Sequence, residues 1–153
     1  MLVIDATDRK ILRLLQIDGR ISTVDLADKI SLSPTATSER LKRLVRDGYV
    51  TGFRAVLDPK TLGRGLLVFI EVTLDKTTID VFEHFGEAVR KSPEVLECHM
   101  VAGGFDYLAK TRVADMAAYR RFLGEVLVAL PGVKETRTYA VMEEVKPEGP
   151  LPI

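Results

Sequence analysis

Few side chains in this sequence are equipped for covalent chemistry, and their spacing works against it. Cys98 and His99 are adjacent in a strand-like run, so they leave opposite faces and cannot form a nucleophile–base dyad. His84 falls in a helical pattern as an ordinary exposed or half-buried side chain, and one cysteine with two histidines gives no metal-ligand set at a recognisable spacing. Glu143 and Glu144 also alternate in an extended run and read as solvated edge residues. Neither an enzyme nor a cofactor is expected. Two other constellations suit non-covalent recognition. One is the polar, basic set Thr35, Ala36, Ser38, Glu39, Arg40, Lys42, Arg43 and Arg46, suited to phosphates and base edges. The other is Val101-Ala102-Gly103-Gly104-Phe105-Asp106-Tyr107. Its glycine pair is what a tight hairpin uses. Equally, bare backbone N–H groups can converge on a carboxylate while Asp106 receives an ammonium, a pair complementary to an α-amino acid.

The basic set needs a helix to display it. From Arg20 to Gly48 the pattern predicts two short helices and a tight turn. Leu26, Ala27 and Ile30 share one side of the first, with Ser22 as its cap and Asp25 three residues on, resembling a capping box. Ile30–Ser33 turns the chain, Ser33-Pro34 starts the second helix and Gly48 ends it. Thr37, Leu41 and Leu44 form its inward stripe, which leaves the polar set facing out. An earlier helix over 8–18, with Ile11, Leu14 and Leu15 on one side, supplies a third packing partner. Two helices joined by so short a turn match a helix-turn-helix, whose second helix enters the major groove of double-stranded DNA. Tyr49–Leu57 is β-branched and aromatic, predicting a short wing or an outgoing strand.

Charge is uneven along the chain. The sequence of 153 residues is neutral overall, but residues 1–60 carry 11 Lys and Arg against 8 Asp and Glu, while residues 61–153 carry 11 against 14. The positive excess sits with the basic helix, and it is small, so one copy neutralises few phosphates and dimerisation is implied. A lone cysteine, no basic leader followed by an apolar run and no apolar stretch near 18 residues lead us to expect a cytoplasmic protein without a membrane partner.

The loop needs a scaffold, and the second half of the chain repeats itself to give one. Leu66–Leu74 reads as a strand, Ile79, Phe82, Phe85 and Val89 recur at helical spacing, and Val95–Val101 is strand-like again. Phe105–Val113, a helix from Met116 to Leu130 and an extended Val133–Val145 then repeat the order. Two βαβ units in series predict a ferredoxin-like βαββαβ sandwich with both helices on one sheet face. Leu67, Phe69, Met100, Leu108, Tyr139 and Val141 offer apolar surface for sheet-on-sheet dimerisation. The fold class is α+β, with a helix-turn-helix domain at 1–50, a hinge strand and linker at 51–65, the βαββαβ effector and oligomerisation domain at 66–146 and a tail at 147–153.

DGRIS, LADKISLSPT and ERLKRL, together with ECHMVAGGFDYLAKTRV, LPGV and TRTYAVMEEVK, make nearly the whole chain resemble the Lrp/AsnC family of bacterial and archaeal transcription regulators. The resemblance implies a homo-oligomer: dimers through the second domain, assembling further into tetramers or octamers. It implies a recognition helix Pro34–Arg46 with Ser33, Thr35, Ser38, Glu39, Arg40 and Arg43 contacting bases or phosphates. It also implies an amino-acid effector, leucine or another apolar amino acid, held between subunits. The effector-binding residues would be the loop Val101–Asp106, with Val101, Ala102, Gly103, Gly104 and Asp106, and Met116, Val128, Thr138, Tyr139, Ala140 and Val141. The loop is smaller than that of some relatives that respond to leucine, which leaves the identity of the amino acid open. An architectural, nucleoid-organising protein without effector response, and a haem-precursor decarboxylase using a histidine such as His99, are the alternatives.

Overall fold

The computed structural model describes residues 4–147 and 149–153, so residues 1–3 of the expected first domain and residue 148 of the expected tail lie outside the described residues. The chain divides into two units, the first running to Val56 and taking back the segment from Val145 onward, the second spanning Leu57–Glu144.

In the first unit, α1 (Ala6–Ile17), α2 (Thr23–Ile30) and α3 (Pro34–Arg46) enclose a core of Ile11, Leu12, Leu26, Ile30 and Leu44. The sequence signals for the second and third helices act as expected. Ser22 Oγ accepts from the Asp25 N–H at 3.0 Å and Ser33 Oγ from the Ala36 N–H at 3.2 Å, with Pro34 at the first helical position. The Asp25 carboxylate, however, accepts from the Ser22 hydroxyl rather than from the cap backbone, so α2 has no reciprocal box. The reciprocal capping box belongs to α1, where Asp5 Oδ1 accepts from the Asp8 N–H at 2.7 Å and Asp8 Oδ2 from the Asp5 N–H at 3.2 Å. Two aspartates replace the usual Ser/Thr and Glu. Gly48, at φ 79°, closes α3 in the left-handed region that suits glycine. Thr37 and Leu44 are buried as expected, whereas Leu41 is half-buried.

Two expectations at the ends of this unit differ from the structure. Tyr49–Leu57 forms no strand: the Tyr49 and Val50 N–H groups turn back to the Leu44 carbonyl at 2.9 and 3.2 Å, and the one sheet among the described residues does not include the segment. The last segment is not a free tail: Ile153 packs with the helix core, and Gln16 of α1 exchanges hydrogen bonds with the Leu151 backbone at 2.6 and 3.2 Å.

The second unit carries β1 (Leu66–Leu74), α4 (Ile79–Lys91), β2 (Val95–Met100), β3 (Tyr107–Val113), α5 (Met116–Phe122, continued by a π turn Leu123–Leu127) and β4 (Val133–Ala140). Its antiparallel sheet has the order β2-β3-β1-β4, the βαββαβ arrangement that the repeat predicts. Val68, Ile70, Val72 and Leu74 alternate toward α4 and α5, meeting Phe85, Tyr119, Phe122 and Leu127. The π turn departs from the single helix expected over Met116–Leu130. Phe122 and Leu127 are five residues apart, and an α-helix would set them on different faces. The wider turn, marked by the Val128 N–H bonding the Leu123 carbonyl at 3.0 Å, puts both on the sheet. Gly132, at φ 75°, is required twice over, since a Cβ there would also meet Val81 Cγ1 at 2.9 Å. β4 stops at Ala140, earlier than expected, and Glu144 is not a solvated edge residue. Its carboxylate pairs bidentately with the Arg112 guanidinium at 2.5 and 3.0 Å.

Candidate nucleic-acid interface and effector loop

The Ser33 cap and Pro34 fix the start of α3 and so decide which side chains meet solvent. Thr35, Ala36, Glu39, Lys42 and Arg46 are exposed, as expected. Ser38, Arg40 and Arg43 are half-buried, and both arginines turn toward α1. Arg40 Nη1 lies 2.7 Å from Asp5 Oδ2 and 2.9 Å from Asp8 Oδ1, and Arg43 Nη2 lies 2.6 Å from Asp8 Oδ2. Asp8 is 1% exposed, so its charge is tolerated only because two guanidinium groups and a backbone N–H surround it. The Asp8 N–H, and then the Arg40 guanidinium, hold the Asp5 carboxyl below its ordinary value, while Asp5 and then Asp8 raise Arg40. The other two cations are also paired, Lys42 with Glu39 at 2.9 Å and Arg46 with Asp47 at 2.9 Å. Sequence reasoning missed these partners. The Asp-x-x-Asp spacing at Asp5 and Asp8 was the local signal, but nothing local pairs it with a helix over thirty residues away.

In the second unit the Val101 N–H donates to the Asp106 carbonyl at 3.0 Å, which closes the loop, and the Asp106 N–H reaches the Val72 carbonyl at 3.1 Å. Asp106 Oδ2 accepts from the Leu74 N–H at 2.7 Å, so half of this carboxylate ties the loop to the end of β1. Neither Gly103 nor Gly104 adopts a positive φ, and a Cβ on either would meet nothing within 4 Å. The tight primed turn is therefore not what these glycines serve. Beside Gly104 and Phe105 lies a hollow of about 130 Å³ lined by Glu71, Thr73, Glu135, Thr136 and Arg137, charged neighbours that the sequence reading did not select.

One copy does not gather the remaining effector residues around this loop. Ala140 lies opposite Val68, four residues along β1 from Val72, about 13 Å at the rise of a strand. Met116 opens α5 after β3 has run its full length away from the loop. Thr138 and Ala140 point to the helix side, where the Thr138 hydroxyl bonds Tyr119 at 2.5 Å, whereas Tyr139 and Val141 share the open face. Met116 and Val128 are exposed in the helix layer.

The sheet face away from the helices carries Leu67, Phe69, Leu108, Tyr139 and Val141, of which Leu67 is already buried within one copy and the others are partly or fully exposed. Met100 faces the helix side instead, with Ile79 and Phe82 beside it. Around the apolar centre, Lys110 pairs with Glu97 at 2.7 Å and holds its carboxyl below the ordinary value, and the Tyr139 hydroxyl donates to Glu71 at 2.9 Å. Cys98 and His99 do leave opposite faces, and burial pushes the Cys98 thiol up to about 11, which removes it as a nucleophile. Among the described residues no group of three or more ligating side chains could hold a metal, and no helix is long and apolar enough to cross a membrane.

A helix-turn-helix with a polar third helix, joined to an antiparallel α+β unit with a bare glycine loop, defines a DNA-binding regulator with a separate ligand-binding unit. Residues 4–51 match the model of winged helix-turn-helix DNA-binding domains, and residues 67–151 match that of the Lrp/AsnC ligand binding domain. The chain belongs to the Lrp/AsnC family of transcription regulators, and it is not an enzyme. It is 55% identical over 150 residues to the leucine-responsive regulatory proteins of Escherichia coli K12 and Klebsiella pneumoniae, covering 98% of this chain and 92% of theirs. Among solved structures it is similar to a transcriptional regulator from Neisseria meningitidis in complex with L-Met, with TM-score 0.93, 38% identity and 98% and 97% of the two chains covered. An AsnC family regulator from Agrobacterium tumefaciens matches with TM-score 0.89, 33% identity and coverage of 94% and 93%.

Proposed function

We propose that this chain is a cytoplasmic, homo-oligomeric regulator of amino-acid metabolism that senses an apolar α-amino acid at the interface between copies. The observation that carries this reading is the loop Val101–Asp106. Its glycines are demanded neither by backbone conformation nor by space within one chain, so the bare backbone is available to a ligand. Asp106 supplies a carboxylate toward an ammonium, and Met116, Val128, Thr138, Tyr139, Ala140 and Val141 complete the pocket from a second copy. Their dispersal over two faces and both ends of one sheet supports that division. Assembly is supported by the apolar open face and by the exposed apolar side chains before the second unit, where Val56 is 86% exposed. Dimers then associate into tetramers or octamers. Two of the relatives named above bear leucine in their names and a third holds L-Met in its complex, which favours an apolar effector.

On DNA, α3 lies in the major groove with Ser33, Thr35, Ser38, Glu39, Arg40, Arg43 and Arg46 as the contacts, two copies reading successive grooves. Calorimetric titration of the protein against the twenty amino acids, with sedimentation of the protein before and after saturation, tests the reading. Binding of one apolar amino acid with a change in assembly is expected. A monomeric protein, or one that binds no amino acid, overturns it.

A further inference from the structure

Each of the four cations of α3 is already held by a carboxylate: Arg40 by Asp5 and Asp8, Arg43 by Asp8, Lys42 by Glu39 and Arg46 by Asp47. A DNA phosphate can claim one of these cations only by displacing or sharing its partner. The partners differ in how firmly they stand. Asp8 is buried at 1% exposure and serves the fold. Glu39 and Lys42 are both well exposed at i and i+3, so that pair yields readily. Asp47 adjoins Arg46 in sequence and moves with it.

Asp5 is different. It is 53% exposed and therefore open to solvent and ligands, yet it is fixed in place, because Oδ1 caps α1 through the Asp8 N–H while Oδ2 sits 2.7 Å from Arg40 Nη1. An anionic oxygen at that distance from a guanidinium occupies the place a phosphate oxygen would take. We infer that Asp5 is a built-in competitor of the DNA backbone, an affinity-determining residue that occupies the Arg40 guanidinium and so reduces the number of phosphates each copy engages. The inference rests on α3 being the DNA-contacting helix, as proposed above.

The same geometry supplies the test. Asn and Ser cap helices as well as Asp does, so Asp5→Asn and Asp5→Ser keep the cap of α1 and remove only the charge. The readout is binding of the full chain to a labelled mixed-sequence duplex over a series of potassium chloride concentrations, with circular dichroism melts of each variant. Both variants should bind roughly two- to fivefold more tightly, the scale of one exposed ion pair. The slope of log K against log salt should steepen by about 0.9, the increment for one more phosphate. Combining Asp5→Asn with Arg40→Gln should abolish the gain, which a general change in stability would not do. Unchanged affinity and slope in both variants overturns the inference. Weaker binding with unchanged melting also overturns it, since Asp5 would then be presenting Arg40 rather than occupying it. Arg46→Ala in the same assay separates the two readings: if it leaves binding untouched, the assignment of α3 fails. If it weakens binding while the Asp5 variants do nothing, only the competitor role fails.

Discussion

Asp106 is placed to do two jobs with two oxygens, and a pair of substitutions separates them. Oδ2 accepts from the Leu74 N–H at 2.7 Å, and Leu74 is 4% exposed, so removing the acceptor leaves a buried donor unpaired. For a bond to a charged group that loss is about 1.5–3 kcal/mol. In a unit the size of Leu57–Glu144, each 1 kcal/mol moves the midpoint by about 4–8 °C, so Asp106→Ala should melt roughly 6–24 °C lower. Asp106→Asn keeps an acceptor and forfeits only the charge assistance, about 1 kcal/mol, and should melt roughly 4–8 °C lower. If the carboxylate receives the effector ammonium, both variants lose amino-acid binding in a calorimeter while DNA binding without amino acid survives. The asparagine variant decides the matter because its loop stays anchored. Wild-type affinity for the amino acid in Asp106→Asn would refute the ammonium role, and an unchanged midpoint in Asp106→Ala would refute the anchoring role.

Four further outcomes follow from the ion pairs and the returning segment. Arg46→Ala removes a cation whose one partner is the adjacent Asp47, so DNA binding should weaken and its salt slope fall by about 0.9 with the melting point unchanged. Arg43→Ala should weaken binding as well but also cost about 1–3 kcal/mol, since it leaves buried Asp8 with Arg40 alone, and paired titrations and melts distinguish the two variants. Arg112 holds the Glu144 carboxyl below its ordinary 4.5, as Lys110 holds Glu97. The unfolded chain therefore takes up protons first as pH falls. The stabilisation is full above 4.5 and is lost as pH drops through the lower folded values. Melts taken from neutral pH down through 4.5 should show a shallower acid slope in Glu144→Gln, and superimposable profiles would contradict the pairing. Finally, Gln16→Ala removes both hydrogen bonds to Leu151 and should speed proteolytic cleavage within the segment after residue 148 without changing helix content.

What was legible in the sequence was what is local. Ser22, Ser33-Pro34 and Gly48 punctuate the helices because caps act within three or four residues, and the duplicated strand–helix–strand pattern gave the sheet because periodicity is read within one element. The misses are non-local or break a local rule. Asp5 and Asp8 form their capping box from aspartates, outside the usual pattern, and their second task is pairing with Arg40 and Arg43 across the unit. The π turn at Leu123–Leu127 is imposed by the need to seat Phe122 and Leu127 on one sheet, a tertiary demand that overrides helical spacing. Ile153 joins a core begun at Ile11, and no window on the sequence spans that separation. Tyr49–Leu57 has the composition of a strand but joins no sheet among the described residues, a matter of tertiary pairing that composition does not encode. For the effector residues, loop position and strand parity were legible. Their proposed convergence between copies was not, because one chain holds them apart.

That separation bears on how a ligand can act. An amino acid shifts an assembly equilibrium only by its difference in affinity between the two states. A pocket that offered it the same contacts in either state would shift nothing. The proposed pocket, divided between the Val101–Asp106 loop of one copy and the far strand and helix ends of another, would exist only in the assembled state, so differential affinity would be built into its geometry. The coupling is reciprocal, and whatever strengthens association must strengthen amino-acid binding by the same factor. The electrostatics of α3 complete the device. If α3 is the DNA-contacting helix, as proposed, a copy whose α3 cations are all paired would grip DNA weakly, and useful affinity would come from several copies held at once. On that proposal, weak single-copy binding would let a modest change in assembly become a large change in occupancy of DNA.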